Sequence, residues 1–113
     1  MDESILNSIK KMLGPDSDYT VFDQDIIIHI NSVFSTLNQL GVGPAEGFQI
    51  TGPNETWSDF IEDNKKLNSV KTYIYIKVRL VFDPPSSSFV ATSLEETAKE
   101  LEWRLNVTVD PGD

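Results

Sequence analysis

The 113-residue sequence contains no cysteine and only one histidine, His29. Disulfide bonds and thiolate zinc sites are therefore excluded, and one imidazole is too few for a histidine metal centre. A Ser-His-Asp triad would need His29 beside a serine, but no Gly-x-Ser-x-Gly motif marks one. We predict no metal, no cofactor and no enzymatic activity, because an enzyme would require a concave pocket converging on His29.

Long hydrophobic segments are also missing. No run approaches the roughly eighteen apolar residues of a transmembrane helix. The first residues, MDESILNSIKKML, begin with acids and lack the apolar stretch of a secretory signal peptide. We expect a single-domain, soluble protein that is made inside the cell and binds no membrane.

Basic residues are scarce, and most of them lie in one segment. The chain has nine lysines and arginines against eighteen aspartates and glutamates, a net charge of −9. Residues 64–82 contain no acid and five bases, which are Lys65, Lys66, Lys71, Lys77 and Arg79. This basic segment is either neutralised by the acidic remainder of the chain or presented to another subunit or partner protein. Nucleic-acid binding is disfavoured, because the acidic remainder would repel phosphates.

Residues 70–85, VKTYIYIKVRLVFDPP, contain the longest apolar run and allow two interpretations. Alternation of Ile74, Ile76 and Val78 with polar residues would suit a β-strand, but Ile74 and Val78 also share a helical stripe. We favour a helix, because the segment after Asn64, a good N-cap, is far longer than a usual strand of about five or six residues. The double proline then ends this helix.

Helical periodicity recurs elsewhere in the chain. Residues 5–13 follow Ser4, a suitable N-cap, and are closed by Gly14. Residues 23–40 show the clearest pattern, and we predict that Asp23 caps this helix.

A last helix is predicted for residues 89–106. The predicted fold class is therefore all-α, a small bundle of about four main helices with a long loop after the second helix and an extended C-terminal tail. The predicted core consists of Ile26, Ile30, Val33, Leu37, Val70, Ile74, Val78, Val81, Leu94, Leu101 and Leu105.

Residues 41–55 lack periodicity and contain four glycines and two prolines. An unstructured loop of this length in a small domain is usually functional or disordered. Thr56 and Asp59 then form a capping-box signature for a short helix. We predict that this loop region contacts other proteins through Val42, Pro44, Phe48, Ile50 and Trp57.

Trp103 lies off the apolar face of the last helix. We expect a neighbouring loop to cover about half of it, and the alternative is an anchor for another subunit.

The chain divides into a helical domain, residues 1–106, and a tail, residues 107–113. Three β-prone residues precede a Pro-Gly pair that forbids further regular structure. An extended arm can satisfy its backbone groups by joining the edge of a partner's sheet. The predicted partner-binding residues of the tail are Val107, Thr108, Val109, Asp110 and Pro111.

Four stretches carry a resemblance to a known family: HINSVFSTLNQLGVGP (29–44), TWSDF (56–60), VKTYIYIKVRLVFDPPSSSFV (70–90) and ELEWRLNV (100–107). Over nearly its whole length the chain resembles the small head–tail connector proteins of tailed phages, helical adaptor or head-completion proteins that dock under the portal. The resemblance implies a structural virion protein at the head–tail interface.

The resemblance also implies an assembly. It predicts a homo-oligomeric ring with the symmetry of the portal, a dodecamer, that joins the capsid to the tail and continues the DNA channel. Its partners would be the portal protein and the next neck or tail-completion protein, and DNA would pass through the lumen without specific binding. No family active site exists to transfer. An acidic chain suits such a lumen, because negative walls do not retain DNA.

An alternative from another class is a small prophage regulator that binds a protein partner through the basic segment. Size would separate the two hypotheses. A regulator would sediment as a monomer or dimer, whereas a connector would form rings or bind the portal.

Overall fold

The computed structural model describes residues 4–14, 20–61 and 64–109, which fold into five helices and contain no strand. The helices are α1 (Ile5–Leu13), α2 (Asp23–Gln39), α3 (Trp57–Phe60), α4 (Asn64–Phe82) and α5 (Ser88–Val109). The one isolated β-bridge among these residues joins Ser4 to Thr56. The predicted small all-α bundle is confirmed.

The α4 helix is the centre of the bundle, as its apolar content predicts. It packs against α1, α2 and α5. Its buried side chains include Val70, Ile74 and Val78 from the predicted stripe, together with Tyr73 and Ile76. The helical interpretation is confirmed and the strand alternative is wrong, because three neighbouring helices cover this segment on more than one side.

Neighbouring main helices run antiparallel. The rings of Phe22, just before α2, and Phe82, at the end of α4, meet edge to face at 5.5 Å. The α5 helix returns along α4 after the short connection 83–87. At the opposite end, the Asn106 side chain of α5 donates to the Leu40 carbonyl at 3.5 Å. The starts of α2 and α5 therefore share one end of the bundle with the end of α4.

Local signals explain the bounds of the first and third helices. Ser4 caps α1, and its hydroxyl accepts a hydrogen bond from the Asn7 amide at 3.2 Å. Gly14 ends α1 in a positive-φ conformation that favours glycine. The predicted capping box of α3 is confirmed, since the Thr56 amide donates to the Asp59 carboxylate at 2.9 Å.

The predicted capping role of Asp23 is wrong. Phe22 occupies the N-cap position and α2 begins at Asp23. The Asp23 carboxylate instead lies 2.8 Å from the Lys10 Nζ, and the Lys10 side chain is only 1% exposed. An acid in the first turn of α2 thus compensates a buried cation from α1, a pairing between helices that local periodicity does not reveal.

Most of the predicted core is buried, with two corrections. Val81 is 62% exposed, because it lies in the last turn of α4, where neighbouring helices no longer cover that side. Leu94 is only half-buried. The nine remaining predicted core residues are buried, which are Ile26, Ile30, Val33, Leu37, Val70, Ile74, Val78, Leu101 and Leu105.

The last helix is longer than predicted. We expected it to end at Asn106 and an extended tail to begin at Val107, but α5 continues through Val109. The extended conformation is therefore wrong for Val107, Thr108 and Val109. β-branched residues cost a helix only a few tenths of a kcal/mol each, and the first strong breaker is Pro111, which disfavours helix at the residue before it. Asp110 and Pro111 lie outside the described residues, as do the side chains of residues 107–109.

Candidate assembly surfaces

The loop 41–55 is fastened to α2 by two asparagines seven residues apart, which places both on one side of the helix. The Asn31 amide donates to the Ile50 carbonyl at 3.0 Å, and its oxygen accepts from the Ile50 amide at 2.8 Å. The Asn38 amide donates to the carbonyls of Pro44 and Ala45 at 3.1 and 3.3 Å. The loop therefore lacks helix but has a defined path along α2.

Part of the same loop folds into the core. Val42, Ile50 and Trp57 are buried within the chain. The isolated chain does not present these side chains, because the glycine-rich segment returns to α2 and α3. Pro44 and Phe48 remain half-buried. The contact of all five residues with other proteins stays a prediction.

Phe48 is held in an aromatic cluster. Its ring centroid lies 5.1 Å from that of Phe34 and 5.4 Å from that of Phe60, while Phe34 and Phe60 are 4.6 Å apart. Gly43 makes room for this cluster. A Cβ atom built there would lie 2.4 Å from the Phe60 ring, and its φ of 89° also favours glycine.

Hydrogen bonds between Thr51 and Glu55 stabilise the end of the loop. The Glu55 carboxylate accepts from the Thr51 amide at 3.0 Å and from the Thr51 hydroxyl at 2.9 Å. Partial burial acts to raise the pKa of Glu55, but these hydrogen bonds outweigh it and the pKa is lowered. The Glu55 carbonyl also accepts from the Ile5 amide at 3.0 Å, which ties the loop to the start of α1.

The cleft between α2 and the loop 41–55 does not resemble a catalytic pocket. This open cleft of about 460 Å³ is lined by Asn31, Ser35, Asn38 and Glu46, among others. His29 is not among its lining residues. Within the part of the chain that the structure describes, no group of three or more His, Cys, Asp or Glu side chains could hold a metal ion.

The basic side chains of α4 do not form one face. At about 100° per residue, Lys71 and Lys77 point to different sides of the helix. The Lys71 Nζ lies 5.4 Å from the centroid of the Trp57 ring, on the side of α4 that faces α3. Lys77 lines a groove of about 320 Å³ together with Glu95 and Glu102 of α5.

The side chains of two further bases of α4 have defined surroundings. Lys66 is half-buried near the start of α4. The Arg79 guanidinium donates to the Tyr75 hydroxyl at 3.0 Å. Lys65 lies in α4, but its side chain is outside the described part of the chain. The predicted subunit or neck contacts of these bases stay predictions.

Trp103 is not half-covered by a loop, which corrects the first expectation for it. Its side chain is 67% exposed. It lies on the side of α5 opposite the inward stripe of Ala98, Leu101 and Leu105. Its role as an anchor for another subunit stays a prediction.

Exposed apolar side chains gather where α2 and α5 begin and α4 ends. Among the described residues, eight large apolar side chains are exposed, and all but Ile28 and Trp103 lie at or beside this end. We name the six the apolar end of the bundle, which comprises Met12, Val21, Phe22, Val81, Phe89 and Val90.

The sequence patterns did not single out the apolar end. Phe89 is 79% exposed and follows a serine run. Its position off the apolar stripe of α5 was a usable signal of this exposure. Val21 and Phe22 precede α2, where no periodicity exists to show which way a side chain points. Exposed apolar side chains concentrated in one region are typical of a protein–protein contact.

No helix among the described residues is long and apolar enough to span a membrane.

Comparison with known proteins identifies the family. Residues 5–112 match a family model described as phage connector protein. No curated protein and no solved structure gives a significant match to the chain. The family is structural, and its members interact with other phage head and tail proteins. Because the match covers nearly the whole chain, this protein belongs to the phage connector protein family and has a head–tail connector role.

Proposed function

We propose that this connector is an adaptor subunit that forms a homo-oligomeric ring beneath the portal. The ring joins the capsid to the tail at the head–tail interface of the virion and has the twelvefold symmetry of a portal. It continues the DNA channel and binds the portal protein on one side and the next neck or tail-completion protein on the other.

The observation that best supports attachment to another virion protein is the apolar end. Six exposed apolar side chains lie at or beside one end of the bundle. A monomeric soluble protein rarely exposes so much apolar surface in one region, because leaving it in water forgoes about 25 cal/mol for each Å² that could be buried. We assign the apolar end to the contact with the portal protein.

The charge of the chain supports passage of DNA. The net charge is −9, and the acids outnumber the bases two to one. A ring of such subunits places many negative charges around its lumen, and phosphate groups are repelled from such a wall. We therefore expect DNA to pass without specific binding.

Binding to the portal protein tests the proposal directly. We expect the chain to sediment with the portal protein of the same phage, and negative-stain images of the mixture to show a ring beneath the portal. Joint replacement of Val21 and Val81 by serine should weaken this binding at least about tenfold, since two exposed apolar contacts are lost.

Ile28→Ser is the matched control. Ile28 is 61% exposed on α2 but lies outside the apolar end. The control should bind the portal protein like the unaltered chain. If the unaltered chain, the double serine variant and Ile28→Ser bind equally well, the apolar end is not part of the contact with the portal protein. A chain that neither binds the portal protein nor forms a ring would overturn the adaptor role.

A further inference from the structure

Two stripes of equal length lie on the outer surfaces of α4 and α5. The outer stripe of α5 contains Thr92, Glu96, Glu100 and Trp103, all exposed. The open stripe of α4 contains Asn68, Thr72, Tyr75 and Arg79, of which the first two are exposed and the others half-buried. Each stripe spans twelve residues, or about 16 Å of helix between its end residues, and has the spacing of a packing face.

The stripes have opposite charge. Glu96 gives the outer stripe of α5 its negative charge, because Glu100 is already paired with Arg104 at 2.6 Å. The open stripe of α4 has Arg79 and no acid. Glu96 and Arg79 form no ion pair with a described residue of their own chain. Arg79 is nevertheless oriented, because its guanidinium donates to the Tyr75 hydroxyl at 3.0 Å. The remaining guanidinium N–H groups can still donate to a carboxylate.

We infer that the outer stripe of α5 packs against the open stripe of α4 in a second copy of this chain. The inference rests on the proposed ring and identifies its subunit interface. A ring needs a heterologous contact, in which each copy presents two different surfaces that fit each other. Opposite charge on two stripes of matched length meets this need.

The ring also fixes the direction of the contact. Rotation about the ring axis keeps the direction of each helix along that axis, and α4 and α5 are antiparallel within the chain. The α5 helix of one copy therefore meets α4 of the next in antiparallel order. With the two stripes aligned end to end, this order sets Trp103 opposite Asn68 and Glu96 opposite Tyr75. Arg79 then lies one helical turn from Glu96, within reach of its long side chain.

This contact gives the exposed tryptophan a partner. Trp103 covers the start of the neighbouring open stripe, beside the exposed Asn68. Aromatic and arginine side chains supply much of the binding energy at protein interfaces, and both types are present here.

Cross-linking tests the contact, and the absence of native cysteine makes each introduced thiol unique. Glu100→Cys and Thr72→Cys replace exposed residues that face each other in the antiparallel order. A short bismaleimide should join equimolar single variants into a mixed dimer, and should convert the double variant into a ladder of oligomers. Pairing Glu100→Cys with Ser32→Cys, an exposed site on α2, should give no mixed dimer above background.

Charge reversal tests the ion pair within the same assay. Arg79→Glu or Glu96→Lys should each lower the cross-link yield at least about tenfold, because like charges then face each other. Combining both reversals should restore the yield. Lys11→Glu changes the net charge as Arg79→Glu does but lies on α1, and should leave the yield unchanged.

The outcomes separate this inference from the proposed function. Rings on the portal without the Glu100–Thr72 cross-link would overturn the contact and leave the adaptor role intact. A specific cross-link in a chain that does not bind the portal protein would support the contact and overturn the adaptor role. Homodimers of the Glu100→Cys variant that match the mixed dimer in yield would show a symmetric contact and overturn the inference.

Discussion

The hydroxyl of Tyr73 donates a hydrogen bond to the Glu102 carboxylate across 2.6 Å, although the Tyr73 side chain is fully buried. This bond links α4 to α5 beside the groove that Lys77 lines. Burial raises the pKa of Tyr73 far above its ordinary value of 10.0, and the hydrogen bond to Glu102 and the negative charge of Glu102 raise it further. A buried hydroxyl bonded to a charged acceptor is strong and costly to lose.

Tyr73→Phe should therefore lower the free energy of unfolding by about 1.5–3 kcal/mol, the usual range for a hydrogen bond to a charged group. Urea denaturation at neutral pH measures this loss. Tyr75→Phe is the matched control, because Tyr75 is only half-buried, and it should cost less. An equal cost for the two variants would contradict the assigned importance of the Tyr73–Glu102 bond.

The same bond predicts a dependence on alkaline pH. The unfolded chain loses the Tyr73 proton near pH 10, while the folded chain keeps it to a much higher pH. Stability from this site is fully present below pH 10 and declines as the pH rises beyond it. Urea midpoints above pH 10 should fall more steeply for the unaltered chain than for Tyr73→Phe. Parallel curves would contradict the prediction.

Gly43→Ala should destabilise the chain by about 2–4 kcal/mol, since it combines a positive φ with overpacking against Phe60. Gly47→Ala is the control. Gly47 has a similar φ of 95°, but a Cβ atom there would meet nothing within 4 Å. The loss of stability in Gly47→Ala should come from the backbone conformation alone. Thermal unfolding of both variants would measure the difference between the two losses. Similar losses would mean that the Phe60 ring moves aside easily.

The Lys10–Asp23 pair predicts an asymmetry between breaking a buried ion pair and replacing it. Asp23→Ala removes this carboxylate from the buried Lys10 ammonium and should cost about 1–3 kcal/mol, the range for removing one partner of a buried polar group. Joint Lys10→Met and Asp23→Leu substitutions should cost much less, because no buried charge remains. Urea denaturation distinguishes these cases. A double variant less stable than Asp23→Ala would show that the pair is required for another reason.

Asn31 offers a local test of the loop. Asn31→Asp keeps the acceptor for the Ile50 amide but removes the donor to the Ile50 carbonyl, whereas Asn31→Ala removes both. Hydrogen exchange of the Ile50 amide should therefore accelerate strongly in Asn31→Ala and less in Asn31→Asp. Unchanged exchange in Asn31→Ala would mean that other contacts hold the loop.

Periodicity sufficed for the helices and much of the core, because a buried helical stripe repeats within the sequence itself. It identified α4, the most ambiguous segment, since length and the terminal prolines outweighed the β-prone composition. It failed where a residue's environment comes from another element. Val81 continues a correct stripe past the point where neighbours cover it, and Lys10 is buried because α2 supplies Asp23.

The interaction surfaces were less predictable for the same reason. Val42, Ile50 and Trp57 lie in a segment without periodicity, so their burial depends on how the loop returns to α2. Trp103 could be recognised as lying off the apolar face, but whether another segment covers it is a tertiary property. Composition located the bases of α4, yet their spacing around the helix separates Lys71 from Lys77.

Continuation of α5 to Val109 gives the subunit a rigid spacer. The helix has 22 residues and therefore measures about 33 Å from its start at the apolar end to its last turn. A partner held at the first turn and a partner held beyond Val109 are kept apart by a rod rather than by a flexible tether. The distance between the two ends of α5 is thus fixed by helix length, and one inserted heptad would increase it by about 10 Å while keeping the outward stripe on nearly the same side.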